Sequence, residues 1–114
     1  VAEKRGEVFE ITPRELQQRL DTGEPLVLLD VREPAEWAIA NLGPQGARLL
    51  PMAELPDALD ELDRAADVVL YCHSGGRSGR AAQWLAANGF TRVYNLAGGI
   101  TRWARDVDPT MPTY

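Results

Sequence analysis

The chain has 114 residues, 45% of them apolar and 25% charged, with a formal charge of −5 and a pI near 4.8. That length supports one globular domain rather than two, and the composition excludes a disordered or fibrous chain. The acidic balance argues against a nucleic-acid face, and no apolar run approaches the roughly 20 residues that span a bilayer, so neither nucleic acid nor a membrane is an expected partner. The opening VAEKRGEVFEIT lacks the apolar stretch of a secretory signal, which points to the cytoplasm, and a start at Val1 rather than Met leaves room for a longer parent chain. One cysteine cannot form an internal disulfide, and one cysteine with one histidine cannot complete a zinc site from this chain's thiols and imidazoles. No metal or organic cofactor is expected.

Short apolar runs alternate with helical patterns, which predicts an α/β fold: a central, mostly parallel sheet of about five strands with helices on both faces. Glu7 to Ile11 reads as a strand. Thr12, Pro13 and Glu15 then supply an N-cap, a first-turn proline and a capping-box carboxylate for a helix through Leu16 and Leu20, ending near Gly23. Leu26 to Val31, LVLLDV, has almost no polar alternation and predicts a central strand covered on both faces. Pro34 to Ala40 reads as a helix, Arg48 to Leu50 as a brief strand, and Pro56 to Leu62 as an amphipathic helix carried by Leu55, Leu59 and Leu62. Val68 to Cys72 is a second buried strand, Ser78 to Asn88 a helix stopped by Gly89, Val93 to Leu96 a further strand and Ile100 to Arg105 a last helix. The DVDPTMPTY tail is expected to be extended, Trp103 to pack inward, and Trp37 and Trp84 to be core or packing residues.

The chemistry concentrates where the strand VVLYC meets the helix, because ligands of open α/β sheets bind at the carboxyl ends of strands. Cys72 stands at that junction, followed by His73, Ser74, Gly75, Gly76 and Arg77. Glycines let the loop curl so that successive N–H groups point inward at the sulfur. Those donors, the positive end of the next helix and the Arg77 guanidinium all favour a thiolate, which is a nucleophile at neutral pH. The same cradle can hold a persulfide anion.

This loop, CHSGGRS from Cys72 to Ser78, resembles the active-site loop of the rhodanese family: cysteine, four variable residues, arginine, then serine or threonine. DVREPAEW, from Asp30 to Trp37, is similar to the family's aspartate-x-arginine-x-x-x-glutamate element, and NLAGGITRW, from Asn95 to Trp103, to its late glycine-pair turn. IANLGPQGARLLP departs from the family pattern by lacking a histidine, while Gly46 and Ala47 keep the end of that element. The resemblance covers nearly the whole chain and implies a sulfurtransferase in which Cys72 takes sulfane sulfur from thiosulfate or a cysteine-desulfurase persulfide. DVREPAEWAIANLGPQGARLLPMAELP and the tail look most like the rhodanese domains joined to adenylating enzymes of molybdopterin and thiamine biosynthesis. That likeness implies a ubiquitin-like sulfur-carrier protein as acceptor, its activated C-terminus becoming a thiocarboxylate.

Within this frame Cys72 is the expected catalytic residue, with His73, Ser74, Gly75, Gly76, Arg77 and Ser78 lining the substrate site. Arg77 can either bind the donor or brace the loop against a carboxylate. His73 is placed to affect pocket entry rather than act as a base. Asp30 and Arg32 read as an ion pair supporting the neighbouring loops, with Glu36 in the same network, and Arg80 as a helix-face cation near the mouth. Two other functions fit the same residues. Phosphatases and arsenate reductases of this fold carry five residues between cysteine and arginine, against four here from His73 to Gly76. A non-catalytic docking module would tolerate loss of the cysteine, which is present.

Overall fold

The computed structural model describes residues 7–114; the first six residues of the predicted domain lie outside the described residues. Five strands form one all-parallel sheet: β1 (Phe9–Ile11), β2 (Val27–Asp30), β3 (Arg48–Leu49), β4 (Asp67–Tyr71) and β5 (Arg92–Leu96), in the order β1-β5-β4-β2-β3. Helices α1 (Pro13–Asp21), α2 (Pro34–Ile39), α3 (Leu55–Ala58), α4 (Gly76–Ala87) and α5 (Gly99–Asp106) connect or follow them. The helix α1 starts as its capping box requires: the Thr12 hydroxyl accepts from the Glu15 N–H at 3.1 Å, and the Glu15 carboxylate accepts from the Thr12 N–H at 2.8 Å.

The middle strand is β4, and its side chains divide the core in two. Val68 and Leu70 face a cluster built with Leu55, Ala81, Leu85 and Phe90 under α3 and α4, and Cys72 just beyond the strand joins that cluster. Val69 and Tyr71 face Leu16, Ile100 and Trp103 under α1 and α5. Burial on both faces is why VVLY carries no polar residue. The β2 strand, expected at the centre, is interior but one place off the middle.

Three local expectations are corrected. The helix predicted from Pro56 to Leu62 is a single α turn between 3-10 turns at Met52–Glu54 and Leu59–Glu61. Leu55, Ala58 and Leu62 are the buried residues, and tightening after Ala58 turns Leu62 rather than Leu59 fully inward. The α4 helix begins at Gly76, two residues before Ser78, because the loop after Cys72 closes at Gly75. The tail is not simply extended: Met111 N–H donates to the Asp108 carbonyl at 3.1 Å, and the chain returns to lay Tyr114 on the loop after β4. Trp103 is fully buried, whereas Trp37 and Trp84 are only partly so. No helix among the described residues is long and apolar enough to cross a membrane.

Candidate active site

Cys72 follows the last residue of β4, and its residue is 1% exposed, so the sulfur lies at the bottom of the loop. Gly75 closes the loop with φ +109°, a left-handed conformation that a side chain resists, and its N–H donates to Cys72 Sγ at 3.1 Å. Gly76 needs no such conformation and simply opens α4. On the outer side, the Ile100 N–H donates to the Cys72 carbonyl at 2.9 Å and the Thr101 N–H to the His73 carbonyl at 3.1 Å. The first turn of α5 therefore holds the loop's carbonyls outward, which leaves its amides for the sulfur. This approach is so close that a Cβ on Gly99 would fall 2.5 Å from both carbonyl oxygens.

Two opposing effects set the charge of Cys72. Burial pushes the thiol pKa up, but the Ser78 hydroxyl and the backbone N–H groups of Ser78, Gly75 and Ser74 prevail and hold it below the usual cysteine value. The Ser78 Oγ lies 3.3 Å from Sγ, and Ser78 is fully buried. Its hydroxyl is thus buried against the sulfur. Ser74 contributes its backbone N–H, while its residue is exposed.

Arg77 points its guanidinium at Glu36, with Nη1 and Nη2 donating to the two carboxylate oxygens at 2.7 and 2.8 Å. Of the two roles open to it, bracing is the one the geometry displays. The paired Arg77 holds Glu36 down to about 2, and its own pKa rises in return. Arg77 still acts on Cys72 through its charge, without a hydrogen bond to the sulfur. The Tyr114 hydroxyl donates to Glu36 Oε2 at 2.7 Å and accepts from Arg32 Nη1 at 2.8 Å. Arg32 in turn grips Asp30 through Nε and Nη2, with both side chains fully buried, and donates to the Ala40 carbonyl at 2.7 Å. Glu36 thus does belong to the Asp30–Arg32 network, through Tyr114 and through its carbonyl, which accepts from Arg32 Nη1 at 3.4 Å.

The His73 ring stacks on Tyr114 with centroids 4.1 Å apart, and Nε2 lies 2.8 Å from the Tyr114 backbone oxygen. It stands beside the loop and makes no contact with the sulfur within hydrogen-bond reach. Arg80 is exposed, has no ion pair among the described residues, and borders an apolar cleft of about 260 Å³ with Met52, Leu55, Pro56, Ala81 and Trp84. Sequence reasoning missed Tyr114, Asn95 and Glu10. Asn95 had a signal: a polar side chain in the interior strand RVYNL, 6% exposed, which must find partners on the α4 face. Nothing local to PTY announces that Tyr114 folds back.

A five-stranded parallel sheet with a cysteine at the carboxyl end of its middle strand, its sulfur ringed by donors, defines the class as an α/β protein with a buried, donor-stabilised thiol. Comparison with known proteins narrows this class. The family model for the Rhodanese-like domain matches residues 12–106. A "Sulfurtransferase" from Allochromatium vinosum is 44% identical over 98 residues, covering 86% of this chain and 90% of that protein. The "Probable adenylyltransferase/sulfurtransferase MoeZ" of Mycobacterium tuberculosis is 41% identical over 106 residues, covering 91% of this chain and 26% of MoeZ. The chain therefore spans about a quarter of that relative's length. A rhodanese-like domain protein from Staphylococcus aureus has the same fold, with a TM-score of 0.78, 29% identity and coverage of 93% of this chain and 98% of that one. The chain belongs to the rhodanese-like family.

Proposed function

We propose that this domain is a sulfurtransferase that carries sulfane sulfur as a persulfide on Cys72. The observation that carries this reading is the ring of donors on Cys72 Sγ, which lowers the thiol pKa despite burial. The Cys72 thiolate attacks the outer sulfur of thiosulfate; the new S–S bond forms as the old one breaks, and sulfite leaves with its electron pair. A nucleophilic acceptor then attacks the outer sulfur of the persulfide and releases the thiolate again. His73, Ser74, Gly75 and Gly76 would surround that outer sulfur, while Arg77 and Arg80 draw an anionic donor toward a protein that is acidic as a whole.

The likeness to MoeZ supports a finer reading in which the donor is a desulfurase-bound persulfide. The acceptor would be a ubiquitin-like sulfur-carrier protein, activated by an adenylating partner or domain for molybdopterin or thiamine synthesis. A reducing compartment such as the cytoplasm suits a free thiol with this role. The test is turnover: thiosulfate and cyanide should yield thiocyanate, with activity abolished in Cys72→Ser. Cys72-dependent hydrolysis of an aryl phosphate without sulfur transfer would instead favour the phosphatase chemistry of related loops.

A further inference from the structure

From the Ser78 hydroxyl beside the sulfur, hydrogen bonds run on through buried Asn95 to Glu10 at the surface, and the proposed transfer chemistry makes no use of those two residues. Glu10 and Asn95 are register partners on β1 and β5, on the sheet face that α4 covers. The Asn95 amide has two N–H bonds and both are occupied: Nδ2 lies 3.2 Å from a Glu10 carboxylate oxygen and 3.2 Å from the Gly75 carbonyl. Those neighbours are acceptors only, so the amide orientation is fixed and Oδ1 must face Ser78. Ser78 Oγ is 2.6 Å from Asn95 Oδ1, 3.3 Å from Cys72 Sγ and 3.3 Å from the Gly75 carbonyl. The hydroxyl has one proton for three acceptors.

We propose that Asn95 is a positioning residue for Cys72, which competes with the sulfur for the Ser78 proton, and that Glu10 sets the strength of this competition. By accepting from Nδ2, the Glu10 carboxylate polarises the amide and makes Oδ1 a better acceptor. In the thiolate the sulfur draws the Ser78 proton. Once a second sulfur is attached, the negative charge moves to the outer atom and Sγ becomes a neutral, poorer acceptor. The proton then turns to Asn95 Oδ1, so the buried hydroxyl is never stranded in either state. This deepens the sulfur-carrier reading, because the relay favours the loaded state relative to the free thiolate. Other charged or titratable groups around Cys72 are Arg77 of α4 paired with Glu36 of α2, His73 under Tyr114, and the Asp30–Arg32 pair at the end of β2. None of them touches Ser78 or Asn95 within hydrogen-bond distance.

The experiment is the pH dependence of Cys72 alkylation by iodoacetamide, a readout of its charge that needs no sulfur donor. Glu10 is an exposed residue on an edge strand, so Glu10→Gln should leave folding intact. The expected result is a fall in the alkylation midpoint of roughly half a pH unit, as Oδ1 weakens and the Ser78 proton passes to the sulfur. The same substitution should shift nothing in Ser78→Ala or Asn95→Ala; if Asn95→Ala does not fold, the Ser78→Ala background alone decides. An unmoved midpoint in Glu10→Gln, or an equal shift in the Ser78→Ala background, overturns the relay. Normal alkylation without persulfide loading would count against the sulfur-carrier reading, whereas normal loading with an unmoved midpoint counts against the relay alone.

Discussion

At the scale of residues, the sulfur's reactivity rests on few atoms. Removing the Ser78 hydroxyl takes away one of the donors that oppose burial, so Ser78→Ala should raise the Cys72 pKa and slow its alkylation at neutral pH severalfold, read as a shifted pH profile. Tyr114→Phe keeps the stacking on His73 but removes a hydroxyl that joins Arg32 to Glu36; a loss of about 1 kcal/mol in denaturant-induced unfolding is the expected result. The Glu36–Arg77 pair has a definite pH sign. Since Glu36 is held down to about 2, below its ordinary carboxyl value, the pair's stabilisation is complete above that ordinary value and is lost as pH falls toward 2. Removing the pair with Glu36→Gln should therefore flatten the acid limb of stability between about pH 4.5 and 2, by on the order of 2 kcal/mol after allowing for solvent screening.

At the scale of elements, the Cys72 loop is held from two sides: α4 begins beneath the sulfur and α5 begins against the loop's carbonyls. The second contact depends on Gly99, because any side chain there would meet the Cys72 and His73 carbonyl oxygens. Gly99→Ala should lower the melting temperature and raise the Cys72 alkylation midpoint together, as the loop amides swing off the sulfur. Much of this was legible in the sequence. The strand-cysteine-glycine-helix order pointed to the loop that rings Cys72 with donors, and the TPRE start of α1 and the buried apolar run of β4 were read correctly because their causes are local. What escaped was non-local: Arg77 turning to Glu36, 41 positions earlier, and Tyr114 returning over Arg32 and His73. Spacing along the chain carries no record of such closures.

At the scale of the whole molecule, the sheet joins stability to chemistry through the Asp30–Arg32 pair, which lies wholly inside the protein at the carboxyl end of β2. Breaking it with Arg32→Ala leaves an unpaired buried carboxylate and should cost about 3–5 kcal/mol, measured by chemical unfolding, with loss of the Tyr114 contact as well. The same frame places the Cys72 sulfur at the end of the middle strand, beneath inward N–H groups. What that sulfur can carry decides what the domain does. Intact mass spectrometry of the protein after incubation with thiosulfate tests it most directly: one added sulfur, removed by cyanide and absent in Cys72→Ser, is the predicted result, and an unchanged mass with the Cys72 thiol still free to alkylate would contradict it.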